Sequence, residues 1–239
     1  MNAQSRLPAL LSVIAGMVDV MGFLSLGNLF TAHVTGNIVI VAALLVRGGP
    51  PNAPQVLALP VFILAVAAVW LIARVSERRG PVLLRPLLLL QFLLLTGVLI
   101  LGVRFNLAAS PNGLTTGFAA VTATSAMACQ FALLRLAVPG APSKAVMTGN
   151  VVNTVLSALD TLSPRPLMEY DDERLRRTAT LVAGFFGGCV AGAVAVSLIG
   201  GWSWLLPVVV AGAIALLHYE ADARPHVITR EVNRQGGTP

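Results

Sequence analysis

Residues Ala15 to Asn37 read AGMVDVMGFLSLGNLFTAHVTGN, an apolar run that carries one carboxylate, Asp19, and ends in Thr35-Gly36-Asn37. The tripeptide recurs as Thr148-Gly149-Asn150, again inside an apolar stretch. A polar, glycine-containing interruption at matching places in two halves of a hydrophobic chain is the pattern of discontinuous helices around a midplane site. The architecture turns on whether these two segments cross a bilayer or dip into it and return.

That a bilayer is involved follows from composition. Hydrophobic residues make up 56% of the 239 and charged residues 11%, with a mean hydropathy of +0.82. Soluble domains carry about 25% charged residues, so the chain reads as a polytopic membrane protein. Its net charge of +6 does not indicate nucleic acid, because the Lys and Arg residues lie between apolar stretches with no basic helix or aromatic-interleaved patch. Cys129 and Cys189 fall inside apolar segments without metal-type spacing, and read as packing residues. Arg6 followed by the run from Leu7 to Val18 has the look of a signal peptide, but no small-x-small cleavage site follows. A retained first helix is expected.

Six apolar segments approach the roughly 20 residues needed to span: Pro8 to Gly27, Gln55 to Val75, Val82 to Val103, Leu114 to Leu136, Thr178 to Ile199 and Trp202 to Tyr219. Two shorter ones, Asn28 to Val46 and Lys144 to Leu159, carry the triplets. Breaker-rich connections separate them, and one long hydrophilic loop is expected from Ser163 to Arg177. The order repeats: long helix, triplet segment, long helix, long helix. This gives a cytoplasmic N-terminus at 1–7, a first repeat half at 8–103, a linker at 104–113, a second half at 114–220 and a disordered cytoplasmic tail at 221–239. Superposing AGMVD on AMACQ makes Asp19 and Gln130 candidate counterparts.

Charge placement favours the dip. With eight crossings and a cytoplasmic N-terminus, ten of the 16 basic residues fall inside and six outside; with re-entrant triplet segments, only Arg47 and Arg104 fall outside. The positive-inside rule selects the second arrangement. The expected fold is therefore all-α, with six full transmembrane helices and two broken or re-entrant segments in an inverted repeat; seven or eight spans is the alternative. At 1.5 Å per residue, Asp19 and the first triplet come to similar depth, roughly 10 to 12 Å from the helix end.

Non-helical backbone survives in a membrane only where protein or a watery cavity receives it. If half-helices begin at Asn37 and Asn150, their free N–H groups and positive dipole ends favour an anionic or carboxylate-bearing solute. Asp19, Asn37 and Asn150 are the leading pathway candidates, followed by Thr35, Gly36, Thr148, Gly149, His33, Gln130 and Asn153. Against this stands a purely structural reading, in which Thr and Asn cap helices and bond neighbouring spans. For Asp19 that reading is an acid held by Asn37, Thr35 or a helix-end N–H; for His33 it is a structural hydrogen bond rather than a proton relay. Gln91 reads as interhelical glue, and Gly184, Gly188 and Gly192, spaced by four, as a face for close helix approach. Trp202, Trp204 and Tyr219, at segment ends, read as an aromatic belt.

The block AGMVDVMGFLSLGNLFTAHVTGN, followed by AMACQFA and MTGN, resembles the YoaK-like family of bacterial multi-pass membrane proteins, whose biochemical role is uncharacterised. The likeness spans Pro8 to Tyr219. Where the family commonly has Ala-Met-Gly and Gln-Asn, this chain has Ala128 and Phe131. The resemblance implies a bacterial inner membrane and supplies no substrate.

The function expected is a transporter or channel for a small molecule or ion, embedded in the lipid bilayer, with no cofactor, no metal and no nucleic acid; oligomerisation is left open. An enzyme using Asp19 and His33 as acid and base is the first alternative, although no nucleophile motif or phosphate loop accompanies them. A sensor or assembly partner acting through the Ser163 to Arg177 loop is the second.

Overall fold

In lipid a spanning segment must satisfy every backbone N–H and C=O internally, and the apolar segments of this chain do so as helices. The structure, a computed structural model, describes residues 3–75, 81–137, 147–162 and 172–223. Its helices are α1 (Ala3–Ser25), α2 (Val34–Arg47), α3 (Ala53–Val75), α4 (Pro81–Arg104), α5 (Leu114–Ala137), α6 (Met147–Leu162), α7 (Asp172–Ile199) and α8 (Leu205–Ala223). Short 3-10 turns at Leu107–Ala109 and Gly200–Trp204 join α4 to α5 and α7 to α8. Among the described residues there is no strand.

Among the described residues, five stretches are long and apolar enough to cross a membrane: Leu7–Ser25, Ala53–Val75, Val82–Arg104, Leu114–Ala137 and Glu173–His218. The last contains both α7 and α8, with the 3-10 turn between them. Large apolar side chains face outward all round, among them Leu64 and Leu71 on α3, Leu93 on α4, Phe186 and Val194 on α7 and Leu216 on α8. A surface of that kind is stable against lipid tails and not against water.

Two helices form the centre. α1 buries Leu7, Leu11, Ile14, Val18 and Met21, while α5 buries a face of small residues that includes Ala119, Ala123 and Ala126. α1 packs on α7 and α8; α5 packs on α3 and α4; α1 touches α5, and α4 touches α8. The short helices sit outside this frame, α2 against α3 and α6 against α7.

Residue pairings give the directions. Ala9 lies against Gly184, Val13 against Gly188 and Met17 against Gly192, so α1 and α7 run parallel. Phe92 meets Gly212 and Gly102 meets Trp204, so α4 and α8 are antiparallel. Leu11 is bonded to Gln130 while Gly27 adjoins Pro111, which makes α1 and α5 antiparallel. The start of α3 is tied to the end of α1: Asn52 Nδ2 donates to the Gly27 carbonyl at 3.2 Å and Gln55 Nε2 to that of Asn28 at 3.3 Å.

The glycine ladder on α7 does what its spacing predicts. A methyl group added at Gly188 would fall within 2.2 Å of the Val13 carbonyl oxygen, so the two backbones touch. Close contact of this sort lets dispersion and weak polar contacts bind helices where no hydrophobic force separates protein from lipid. The Gln91 expectation also holds, since its Nε2 donates to Gln130 Oε1 at 2.7 Å between α4 and α5.

Several boundaries differ. Both triplets lie inside the first turn of their helices, which start one residue earlier, at Val34 and Met147, and not at Asn37 and Asn150. Glycine there admits close approach without interrupting the helix. The loop expected from Ser163 to Arg177 is helical from Asp172 onward, because Glu, Leu and Arg are good helix formers and Glu173 pairs with Arg177 across one turn at 3.9 Å; residues 163–171 lie outside the described residues. Trp204 is buried against Gly102 instead of standing in a lipid-facing belt, whereas Trp202 is exposed. α8 continues to Ala223, three residues into the expected tail, and 224–239 lie outside the described residues.

Gly188→Ala is expected to lower the thermal midpoint of the detergent-purified protein, as overpacking typically costs about 1–3 kcal/mol. Gly187→Ala, one residue away with open space around it, is the control expected to leave the midpoint unchanged.

Candidate functional site

The end of α1 reverses through two consecutive left-handed residues, Gly27 at φ 77° and Asn28 at φ 54°. Glycine adopts that conformation freely and asparagine tolerates it. The chain then runs back along α1, so close that a side chain at Gly22 would come within 2.8 Å of the Leu29 carbonyl oxygen. Buried Leu26 and Leu29 anchor the return.

A returning segment without helical bonds needs other partners for its amides, and Asp19 provides them. Its Oδ1 accepts the Thr31 N–H at 2.8 Å, the Thr31 hydroxyl at 3.1 Å and the Ala32 N–H at 2.6 Å. Its Oδ2 faces His33 Nδ1 at 2.5 Å. Asp19 is 3% exposed, while about a third of the His33 side chain remains accessible, its ring edge-on to Phe185 of α7 at 5.0 Å. Asn37 closes the segment from the other side: its Oδ1 accepts the Phe30 N–H at 2.9 Å and its Nδ2 donates to the Phe30 carbonyl at 2.7 Å. Thr35 is exposed, and Gly36 lies under the Phe30 ring.

Asp19 thus reaches residues 31–33, just ahead of the triplet. Its partners are Thr31, Ala32 and His33, and not Asn37 or Thr35. The roles of Thr31 and Phe30 were not read from the sequence. Their signal was present in the spacing, since a return after Gly27-Asn28 brings residues near 31 alongside Asp19.

The second half is built differently. Thr148 is exposed, Gly149 half-buried and Asn150 buried at 3% exposure, its Nδ2 without a hydrogen-bond acceptor among the described residues. The Asn150 carbonyl accepts the Thr154 hydroxyl at 2.8 Å, and Asn153 Oδ1 accepts from Arg174 at 3.1 Å. Gln130 does not join the Asp19 cluster. It donates to the Leu11 carbonyl at 2.9 Å, eight positions up α1 from Asp19 or roughly 12 Å along the axis. His33 reaches α7 at Phe185 and Asn153 reaches it at Arg174, a separation of roughly 16 Å along that helix.

Among the described residues, no group of three His, Cys, Asp or Glu side chains is placed to hold a metal. A groove of about 270 Å³ between α3 and α5, lined by Pro54, Leu57, Ala58, Gly117 and Val121, is apolar and lacks the triplet residues.

A chain whose described residues form long apolar helices with a lipid-compatible exterior is a membrane protein of the multi-pass class. It belongs to the family described as protein of unknown function DUF1275, whose model matches residues 7–217. It is also similar to the UPF0700 transmembrane protein YoaK of Bacillus subtilis (strain 168), at 57% identity over 37 residues. That match covers 16% of this chain and 16% of the relative's length. Both findings agree with the family resemblance carried by the first block. No solved structure matches.

Removing the Asp19 carboxylate leaves two or three buried donors unpaired, at about 1–3 kcal/mol each. Asp19→Ala and Asn37→Ala should therefore each lower the thermal midpoint, whereas exposed Thr35→Ala should stay within about 0.5 kcal/mol of wild type. Scanning fluorimetry in detergent, with yield by size-exclusion chromatography, measures both.

Proposed function

We propose that this protein is a transporter or channel for a small solute, with six crossings and two re-entrant half-helices, α2 and α6, arranged as an inverted repeat. The observation that carries this is the direction of the helices. Eight crossings would make α1 parallel to α3 and α4 parallel to α8. The end of α1 is instead bonded to the start of α3, and α4 opposes α8. Parallel α1 and α7 then require that neither α2 nor α6 crosses, because one crossing alone would reverse α7.

The pairings also come in mates. Exchanging α1 with α5, α2 with α6, α3 with α7 and α4 with α8 turns the α1–α7 contact into α5–α3, α1–α8 into α5–α4 and α2–α3 into α6–α7. The self-paired contacts, α1–α5 and α4–α8, are antiparallel. This is the relation expected of repeats turned over about an axis in the membrane plane. Under this reading, with the basic residues mostly inside, both termini and the connection from Ser76 to Pro81 lie in the cytoplasm of a bacterial inner membrane.

The solute is an acceptor-bearing one, and an anion or carboxylate suits it best. The Asn150 amide is a buried donor in the first turn of α6 with no acceptor among the described residues, and the helix dipole adds positive potential there. In the first half the corresponding amide is spent on Phe30, and the donors ahead of α2 already hold a carboxylate, that of Asp19. Solute contact is therefore assigned first to Asn150, with Thr148, Gly149 and Asn153 beside it, and Asp19, His33 and Asn37 hold the opposing half-helix.

Reconstituted vesicles screened with chloride, phosphate, acetate, glutamate and glucose should accumulate one of the anions. Asn150→Ala should abolish that flux with folding intact. A reporter inserted between Ser76 and Pro81 should read cytoplasmic; a periplasmic signal would falsify the six-crossing arrangement.

A further inference from the structure

An ionised carboxylate can only accept hydrogen bonds, and every group facing Asp19 Oδ1 is a donor: two backbone N–H groups and a hydroxyl. A protonated Asp19 would have to place its hydrogen on Oδ2, against His33 Nδ1 at 2.5 Å. Either way one proton occupies the Oδ2 to Nδ1 line, and the three donors on Oδ1 assign it to the imidazole. His33 is then bonded through Nδ1, which leaves Nε2 as the atom at which a second proton arrives or departs. The side chain is about a third accessible while Asp19 is sealed, so exchange with water runs through the histidine.

The charge balance makes this exchange consequential. With Nε2 protonated, the imidazolium and Asp19 cancel. With Nε2 bare, the pair carries a net negative charge inside the membrane, where an isolated charge costs about 2.5–3.5 kcal/mol or more. The other faces of the site offer little compensation. α7 contributes the Phe185 ring and the Cys189 thiol, which lies close enough to feel the Asp19 charge. The described part of α2 bears a single cationic side chain, Arg47, at its far end. The return turn contributes only Thr31 and backbone amides.

We propose that Asp19 and His33 form a proton-carrying pair, with the proton taken up and released at His33 Nε2, and that this makes solute movement proton-coupled. The inference rests on the transport reading and names its coupling ion. Protonation needs no co-reactant: a proton from water adds to the Nε2 lone pair, no bond between heavy atoms changes, and the imidazolium charge is balanced by Asp19. Deprotonation leaves the Asp19 carboxylate of α1 with its hydrogen bonds to residues 31–33 but without a balancing charge, and movement of that segment toward water relieves the imbalance. The state of His33 and the position of the half-helix are linked in this way.

Two measurements decide it. In the first, the full chain labelled with nitrogen-15 histidine is placed in lipid nanodiscs and titrated across about pH 5 to 8, the range in which imidazole ordinarily changes charge. The His33 signal should keep Nδ1 protonated throughout while Nε2 switches state, and Asp19→Asn should move that transition to lower pH. A His33 that holds one protonation state across the range overturns the proposal without reference to any solute.

In the second, pyranine-loaded vesicles containing wild-type protein are given chloride, phosphate, acetate, glutamate and glucose in turn. The solute that accumulates should change the internal pH in step with its uptake. His33→Asn keeps a donor for Asp19 and loses the second proton site, so it should move the solute down its own gradient with no pH change. Wild-type uptake without proton movement overturns the coupling and leaves transport standing. Proton-coupled uptake by His33→Asn at the wild-type rate overturns the assignment to His33. No movement of any of these solutes overturns the transport reading and the coupling with it.

Discussion

A backbone amide inside a bilayer has no water to turn to, and among the eight residues between α1 and α2 the Leu26, Asn28 and Leu29 amides reach α1 carbonyls while those of Phe30, Thr31 and Ala32 need side-chain acceptors. Asp19 takes up the Thr31 and Ala32 N–H groups, and Asn37 takes both polar groups of Phe30. These bonds permit the chain to fold back along α1 instead of continuing across. The seat of α3 beside the end of α1, bonded through Asn52 and Gln55, follows from that return.

The two halves use one motif in two ways. In the first, Asn37 and Asp19 are fully engaged by the protein's own backbone, and the half-helix is locked. In the second, the same asparagine buries an amide without an acceptor among the described residues. The same tripeptide is thus bonded differently at its two occurrences. The α1–α7 seam, in which glycines bring two backbones into contact, supplies a rigid wall against which His33 is set through Phe185.

Much of the fold was legible in the sequence because lipid imposes one rule on every residue of a span. Leu114 to Leu136 was read as a helix and is one to within a residue of its end, since an apolar run of bilayer length has a single way to satisfy its amides. The α7 ladder was legible for a similar reason: glycines four apart share a helix face whatever that face meets. Trp204 was misread, because an aromatic at a segment end looks the same whether lipid or Gly102 lies opposite. The Ser163 to Arg177 loop was misread in its second part, since polarity marks exposure to water and says little about whether the backbone coils.

By itself the sequence determined that this chain lives in a membrane, where its long helices run, and that two Thr-Gly-Asn segments and a lone carboxylate break the apolar pattern. Those are properties of local composition and period, and they hold wherever the segments end up. Only the tertiary structure decided that Asp19 serves Thr31, Ala32 and His33, that Gln130 lies roughly 12 Å away bonded to Leu11, and that Asn37 and Asn150 differ in what they bond. Partnership among polar groups is set by which backbone atoms a turn of two left-handed residues delivers to a given depth, and spacing along the chain does not carry that information.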